Sequence, residues 1–240
     1  MIIRCILCGA FFGFAILYFN YFSMKLTDNN SNLPTHKAHL NKTFLEELNH
    51  KLWTTKGAIF IANERLLKQT NLSNTTLALL SMYLIIAGLL TIYPLTENLK
   101  SLQSYISIGT TAISILVLVL SQIENAGDYK LRAHKFHDCA LELSSLYNEI
   151  RIFKTLNSNP KEEDKKDFCE KINVKYQKVL HKYENHKSID HDLFRVQNRH
   201  FYELKTVDVW LIKFNIYIET SLLYHLLIAM PILIGWYVIH

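Results

Sequence analysis

Apolar residues along this chain fall into four blocks that are separated by strongly polar stretches. Residues 71–96 and residues 101–123 contain no charged side chain. Each stretch is long enough to cross a bilayer, because a helical span needs about 20 mainly apolar residues. The short segment TENLKS links the two apolar centres. We therefore predict two membrane spans, at about 77–96 and 104–123, that form an antiparallel helical hairpin.

The last and first apolar blocks lead to separate predictions. The last block predicts a third span at about 214–238, with Pro231 as a candidate kink and four aromatic anchors near its ends. These anchors are Trp210, Tyr217, Trp236 and Tyr237. The first block, Cys5–Met24, leaves two interpretations open: a signal-anchor helix, or a segment ahead of a true start at Met24. The chain thus divides into an N-terminal segment, 1–43, and one domain, 44–240.

Basic residues predict how the hairpin is oriented. They cluster outside both of its ends, whereas the loop carries only Lys100 beside Glu97. The clustered residues are Lys51, Lys56, Arg65 and Lys68 before the first span, and Lys130, Arg132 and Lys135 after the second. Cytoplasmic loops are rich in lysine and arginine, so both hairpin ends should face the cytoplasm.

The polar stretches have the periodicity of amphipathic helices. After the second span, apolar residues recur at three- and four-residue steps from Phe136 to Ile150, and again from Phe168 to Tyr183. The turn-forming segment around Pro160 separates these two stripes. We expect them to pair as an antiparallel, coiled-coil-like hairpin. Helices at about 44–70 and 125–208 would then form a cytoplasmic bundle, which makes the fold class an all-α membrane protein.

Hydroxyl and small residues mark one side of each hairpin helix. Ser107, Thr111, Ser114 and Ser121 lie near one face of the second span, and we call them the hydroxyl stripe. Ser81, Gly88 and Thr91 give the first span a small-residue face. Tight helix packing explains both sets, since small residues are favoured where membrane helices meet. A water path lined by the stripe in an oligomer is the alternative, and the two uses are compatible.

Two ionisable residues lie in or near the third span, and a histidine pair lies in the polar region. His225 falls inside the span and Glu219 near its mouth, where ionisable groups are costly and often functional. His134 and His137 could share a helix face, but Cys139 points away from them. We find no phosphate loop, nucleophile elbow or zinc-protease helix. We expect no enzyme, cofactor or metal site, and a net charge of +5 gives no reason to expect nucleic-acid binding.

The residues that flank the hairpin resemble the SLATT domains, a family of bacterial membrane effectors with a two-helix hairpin. The similar segments are FLEELNHKLWTTKGAIFIANERL (44–66), DYKLRAHKFHDCALELSSLYNEI (128–150) and YENHKSID (183–190). The last segment and the third span resemble the subfamily found beside reverse transcriptases. The resemblance covers about residues 44–240.

This resemblance implies a role in anti-phage or other conflict systems. A reverse transcriptase or a nucleotide-signalling sensor would trigger the protein, which would then form homo-oligomers and permeabilise the bacterial inner membrane. The resemblance assigns no active-site residue. From its position after the second span, we interpret Arg132 as a membrane-exit residue near the lipid headgroups. The alternative is a membrane-anchored module that recruits a cytoplasmic partner. A third hypothesis, an intramembrane enzyme or transporter, would depend on His225 and Glu219.

Overall fold

The computed structural model describes residues 43–93, 103–157 and 160–239, with side chains up to residue 233. These ranges contain seven helices and no strand. The helices are α1 (Phe44–Ile92), α2 (Gln103–Ala126), α3 (Tyr129–Leu156), α4 (Glu162–Lys182), α5 (Ser188–Gln197), α6 (Thr206–Thr220) and α7 (Leu222–Ile239). The all-helical prediction is confirmed for these residues. The predictions for residues 1–42, for the hairpin loop and for the Trp236 and Tyr237 side chains lie outside them.

Helix α1 joins two elements that the sequence pattern separates. The expected helix at 44–70 and residues 77–92 of the expected first span belong to one helix of 49 residues, about 74 Å long. The polar residues between them are also helical, and two of their hydroxyls bond to carbonyl groups of the preceding turn. Thr70 donates to the carbonyl oxygen of Leu66 at 2.9 Å, and Thr76 donates to that of Leu72 at 2.8 Å.

Helices α2 and α3 form the return limb of the same hairpin. Only Gly127 and Asp128 separate them, and Asp128 has a φ of 45°, in the left-handed region where aspartate is tolerated. Helix α1 packs along both α2 and α3. The charge-free part of this hairpin therefore continues directly into a polar part, without a long linker.

The polar part is a helical bundle with its own core. α1, α3 and α4 contribute a cluster of buried residues, among them Leu52, Leu66, Leu143, Ile150 and Ile172. The Phe153 and Phe168 rings stack with centroids 4.0 Å apart where α3 meets α4. Lys175 and Glu149 form an ion pair further along the same two helices. The α3–α4 hairpin expected from the two apolar stripes is therefore present, while its cytoplasmic location stays a prediction.

The expected third span is not one straight helix. Helices α6 and α7 meet at Ser221 with a bend of 63°, and α7 runs on through Pro231. The bend therefore lies ten residues before the proline that the sequence suggested as the kink. Residues 198–205 also interrupt the helical region expected at 125–208, since α5 ends at Gln197 and α6 begins at Thr206.

Length and composition identify two described helices that could cross a membrane. They are α1 and the continuous α2–α3 limb, and the bent α6–α7 pair would count as a third if it forms one span. The two long helices agree with the predicted hairpin. The α6–α7 pair agrees with the predicted third span only if the bent pair crosses the membrane as one segment.

Candidate membrane-inserting site

The charge-free half of the hairpin buries very little of its apolar surface. Helix α2 has 24 residues, none of which is buried, and α1 buries no residue beyond Leu80. Ile108, Ile115 and Leu118 of α2 are 69%, 60% and 64% exposed. A contiguous apolar surface of this kind marks a contact with lipid or with other protein chains, because water disfavours it. The surface is therefore the first candidate for the functional site.

Three of the four stripe hydroxyls face away from α1. Ser107, Thr111 and Ser114 are exposed, whereas Ser121 is half-buried on the side that packs against α1. Thr111 donates to the carbonyl oxygen of Ser107 at 2.9 Å, and Ser114 donates to that of Thr110 at 2.8 Å. These bonds satisfy the hydroxyl donors of Thr111 and Ser114 within the helix. The packing interpretation therefore does not apply within one chain to these three residues.

The predicted small-residue face of α1 is divided in the same way. Gly88 and Thr91 are half-buried on the side of α2, and the Gln103 side chain donates to the carbonyl oxygen of Thr91 at 2.6 Å. Ser81 is exposed, and its hydroxyl bonds to the carbonyl oxygen of Leu77 at 2.8 Å. A Cβ at Gly88 would meet no atom within 4 Å, so close packing within the hairpin does not require this glycine. Ser81 adds a hydroxyl to the outer surface.

The two ionisable residues of the third segment are both exposed. His225 Nδ1 lies 3.1 Å from the Tyr217 hydroxyl, and the two rings stack at 5.5 Å across the α6–α7 bend. The structure therefore gives His225 a hydrogen-bonded partner beside the bend. It does not bring Glu219 and His225 together in a shared hydrogen bond or ion pair within the described residues.

A polar junction that the sequence did not suggest joins three membrane-proximal helices. The Tyr224 hydroxyl on α7 donates to Glu124 Oε1 on α2 at 2.5 Å. Gln69 on α1 lies close to the same hydroxyl. Beside it, Thr70, Ser73, Glu124, Asn125 and other residues line a cleft of about 450 Å³. Glu124 is visible in the sequence as the carboxylate that ends the charge-free stretch of α2. Its partner Tyr224 is 100 residues away, so the sequence did not indicate the pair.

Two arginine–carboxylate clamps hold the connection after α4 and the first turn of α5. Arg65 on α1 donates to both Asp190 oxygens, at 2.6 and 3.1 Å, and the two side chains are 8% and 0% exposed. Arg132 at the start of α3 donates to both Glu184 oxygens, at 3.0 and 2.6 Å. Bidentate pairs of this type fix geometry as well as supply energy. The YENHKSID segment therefore contains the acidic member of both clamps.

Asp190 also orders the start of its own helix. The backbone N–H of Lys187 donates to Asp190 Oδ2 at 3.0 Å, so a single carboxylate caps α5 and binds α1. Arg132 was predicted to contact lipid headgroups. That contact stays a prediction, since in the structure the guanidinium is engaged by Glu184 and lies at the end of the bundle nearest α2.

The HKFHDC segment lies on α3 within the bundle. Cys139 is buried in the core, and burial raises the pKa of its thiol to about 11. His137 lies beside the Phe60 ring, and His134 lines the junction cleft. The described residues contain no group of three or more histidine, cysteine, aspartate or glutamate side chains arranged to hold a metal ion.

Comparisons with known proteins place the whole bundle and hairpin in one family. Residues 41–237 match the model of the SMODS and SLOG-associating 2TM effector domain family 5. No curated protein matches the chain, and no solved structure matches it. The match covers most of the chain, including α1 to α6 and nearly all of α7. The chain therefore belongs to family 5 of the SLATT effector domains, membrane proteins of conflict systems, as the flanks of its hairpin suggested.

Proposed function

We propose that this protein is a bacterial inner-membrane effector that oligomerises when triggered and permeabilises the membrane. The observation that carries the proposal is the α2 helix, whose 24 residues include no buried side chain and whose outer face combines apolar residues with three hydroxyls. Lipid covers the apolar residues well. The hydroxyls would form better hydrogen bonds with another copy of the protein or with water than with lipid.

Self-association explains the position of these hydroxyls. Small and hydroxyl residues allow membrane helices to approach closely, and they hydrogen-bond across interfaces. Ser107, Thr111 and Ser114 face away from α1, so an interface that used them would lie between copies. In a ring of such copies, the free lone pairs of these hydroxyls would line the space between helices and accept hydrogen bonds from water.

The continuous hairpin offers a route from trigger to membrane. α1 enters the charge-free region directly from the bundle, and α3 leaves it after a two-residue break. Movement of the bundle helices would therefore displace the membrane helices, because a helix transmits a shift along its axis. The two clamps hold the bundle closed and are the contacts that a trigger would release.

The proposed partner is a cytoplasmic sensor of the same conflict system, such as a reverse transcriptase or a nucleotide-signalling protein. Family membership supports this class of partner. The exposed surface of the bundle is mixed in charge, with both ion-pair partners on α4 and acidic residues in its first turn. We propose accordingly that the domain acts through its helices, without catalysis and without direct contact to nucleic acid.

The direct test follows membrane potential in bacteria that express the protein with its trigger. A potential-sensitive dye should report depolarisation, and growth should stop. The variant with Ser107, Thr111 and Ser114 changed to leucine should insert but no longer depolarise the cells. A matched control changes the neighbouring exposed residues Ile108, Ile115 and Val119 to leucine and should retain activity. An unchanged membrane potential in cells that express the wild-type protein together with its trigger would refute permeabilisation.

A membrane-anchored interaction module is the second candidate. The self-contained core of the bundle favours it, since α1, α3 and α4 pack without help from the membrane part. Under this hypothesis the leucine variant would behave as wild type, and only bundle surface changes would abolish the response. The same pair of variants therefore separates the two candidates.

A further inference from the structure

Helix α6 carries a stripe of large apolar side chains that remain at least one-third exposed. Its members recur at three- and four-residue steps and so share one face of the helix. They are Val207, Trp210, Phe214, Tyr217 and Ile218, with exposed fractions of 65%, 57%, 38%, 41% and 45%. The Trp210 and Phe214 rings stack at 5.2 Å with an interplanar angle of 5°. We call this surface the α6 stripe.

The opposite face of α6 is directed towards the protein. Val209, Ile212, Ile216 and Thr220 are half-buried, and α6 contacts α5 and α7. Asp208, Asn215 and Glu219 lie on one flank between the two faces, on the basis of 100° per residue. Helix α6 thus packs one face against the protein and presents an apolar face outward.

Helix α7 is by its length nearly sufficient to cross the membrane without α6. Helix α7 has 18 residues and a length of about 27 Å, close to the thickness of the hydrocarbon core. The 63° bend at Ser221 turns α6 well away from the α7 axis. If α7 crosses the bilayer close to its normal, α6 must lie nearer to the membrane plane than to the normal.

Several features of α6 match the boundary between lipid and water. Tryptophan and tyrosine rings prefer the headgroup level, and the α6 stripe contains Trp210 and Tyr217. The stripe is followed directly by the exposed apolar surface of α7, which includes Leu223, Leu226, Met230 and Leu233. A single apolar surface therefore continues from α6, at the membrane interface, along α7 into the hydrocarbon core.

The charges around α6 also fit lipid headgroups. Lys213 on α6 and Lys68 on α1 line one cleft of about 320 Å³ between α1, α5 and α6. Neither lysine forms an ion pair with a described carboxylate. Glu64 also lines this cleft, while Arg65 is neutralised by Asp190, so one positive charge remains in excess. Anionic phosphate groups at the membrane surface would complement it.

We propose that α6 is an in-plane anchor, with its apolar stripe inserted into the membrane interface and Lys68 and Lys213 directed to lipid phosphates. The inference rests on the proposed membrane location of α2 and α7. It assigns the partner of this surface as the bilayer itself. Because the inner face of α6 packs on α5, which is clamped to α1, the anchor would hold the bundle at a fixed height above the membrane.

The test measures the depth of each α6 position in a membrane. Single nitroxide labels are placed at each of residues 207–218 in the full chain, with all four native cysteines changed to alanine. The protein is reconstituted into vesicles of phosphatidylethanolamine and phosphatidylglycerol, and collisions with oxygen and with a water-soluble nickel complex are compared. A label at Ile115 on α2 is the control for insertion.

The anchor predicts an oscillation in depth with a period near 3.6 residues. Labels on the α6 stripe should collide with oxygen, and labels at Asp208 and Asn215 should collide with nickel. The depths at Val207 and Ile218 should differ by less than half of the roughly 16 Å expected for a helix along the membrane normal. A smooth increase of roughly 16 Å, or nickel access along the whole stripe, would overturn the anchor.

The control at Ile115 separates this inference from the proposed function. Oxygen access at Ile115 together with nickel access on the α6 stripe would refute the anchor and leave membrane insertion intact. Nickel access at Ile115 would remove the membrane location of the hairpin, and the anchor would fail with it.

Discussion

The two halves of α1 belong to one helix but differ in what surrounds them. From Phe44 to Thr70, seven residues are buried in cores that the chain itself completes. From Asn71 to Ile92, only Ser73, Thr76 and Leu80 are buried. The first half is stable because other helices of the same chain cover it. The second half presents apolar surface that requires an external partner, and this difference identifies the membrane side of the protein.

The largest effect is expected from breaking the buried clamp. Asp190→Asn removes the charge opposite Arg65, and a buried cation without its partner should destabilise the bundle by about 3–5 kcal/mol. Chemical unfolding of the detergent-solubilised protein measures this loss. Glu162→Gln is the matched control, because Glu162 and Lys165 form an exposed pair worth at most about 1 kcal/mol. Equal unfolding midpoints for the two variants would contradict the account of the clamp.

Alanine substitutions at the two glycines of α1 allow the packing of its two halves to be compared directly. A Cβ at Gly57 would lie 2.0 Å from the Phe194 ring, so Gly57→Ala should displace α5 and destabilise the protein by about 1–3 kcal/mol. A Cβ at Gly88 meets no atom within 4 Å. Gly88→Ala in detergent should therefore be neutral or slightly stabilising, because alanine favours helix. Thermal unfolding of both variants tests this, and a larger loss at Gly88 would reverse the comparison.

Acidification should weaken the bundle through its histidines. Burial lowers the pKa of His186 and of His191 below 6.5, while the Asp190 carboxylate opposes the shift at His186. The unfolded chain then binds more protons than the folded chain as the pH falls through about 6.5. Stability should be full above that pH and decline below it. His186→Gln should flatten the pH dependence of the unfolding midpoint, and an unchanged slope would exclude His186 as a contributor.

The smallest effect concerns reactivity and leaves stability unchanged. Cys139 is 1% exposed, and its pKa is raised to about 11. At pH 8 its thiolate fraction should be about a hundredfold below that of an ordinary thiol, so alkylation should be slow. Mass spectrometry after timed alkylation measures this. A trigger that opens the bundle should accelerate the reaction, while rapid labelling of the resting protein would show that the core is loosely packed.

Local sequence patterns predicted the elements that depend on local information. The charge-free lengths of residues 71–96 and 101–123 located both hairpin limbs, and the apolar steps from Phe136 to Ile150 located the buried face of α3. Periodicity did not show that α1 is continuous. Asn71, Thr75 and Thr76 are common in turns, but the threonine hydroxyls here bond back into the helix.

The remaining features depend on residues far apart in the chain. Arg65 and Asp190 are separated by 125 positions, and Tyr224 and Glu124 by 100, so no periodic pattern could pair them. The bend at Ser221 was also missed, because Pro231 offered a stronger local signal for a kink. The hydroxyl stripe was found from the sequence. The exposure of Ser107, Thr111 and Ser114 and the partial burial of Ser121 became evident only from the packing of the hairpin.

The central claim is that lipid completes the half of the hairpin that the chain leaves open. Alkaline carbonate extraction of membranes from expressing cells, followed by flotation on a density gradient, tests it most directly. The account predicts that the full chain remains with the floated vesicles, and that detergent alone releases it. Recovery of the chain in the soluble fraction after carbonate treatment would contradict the account.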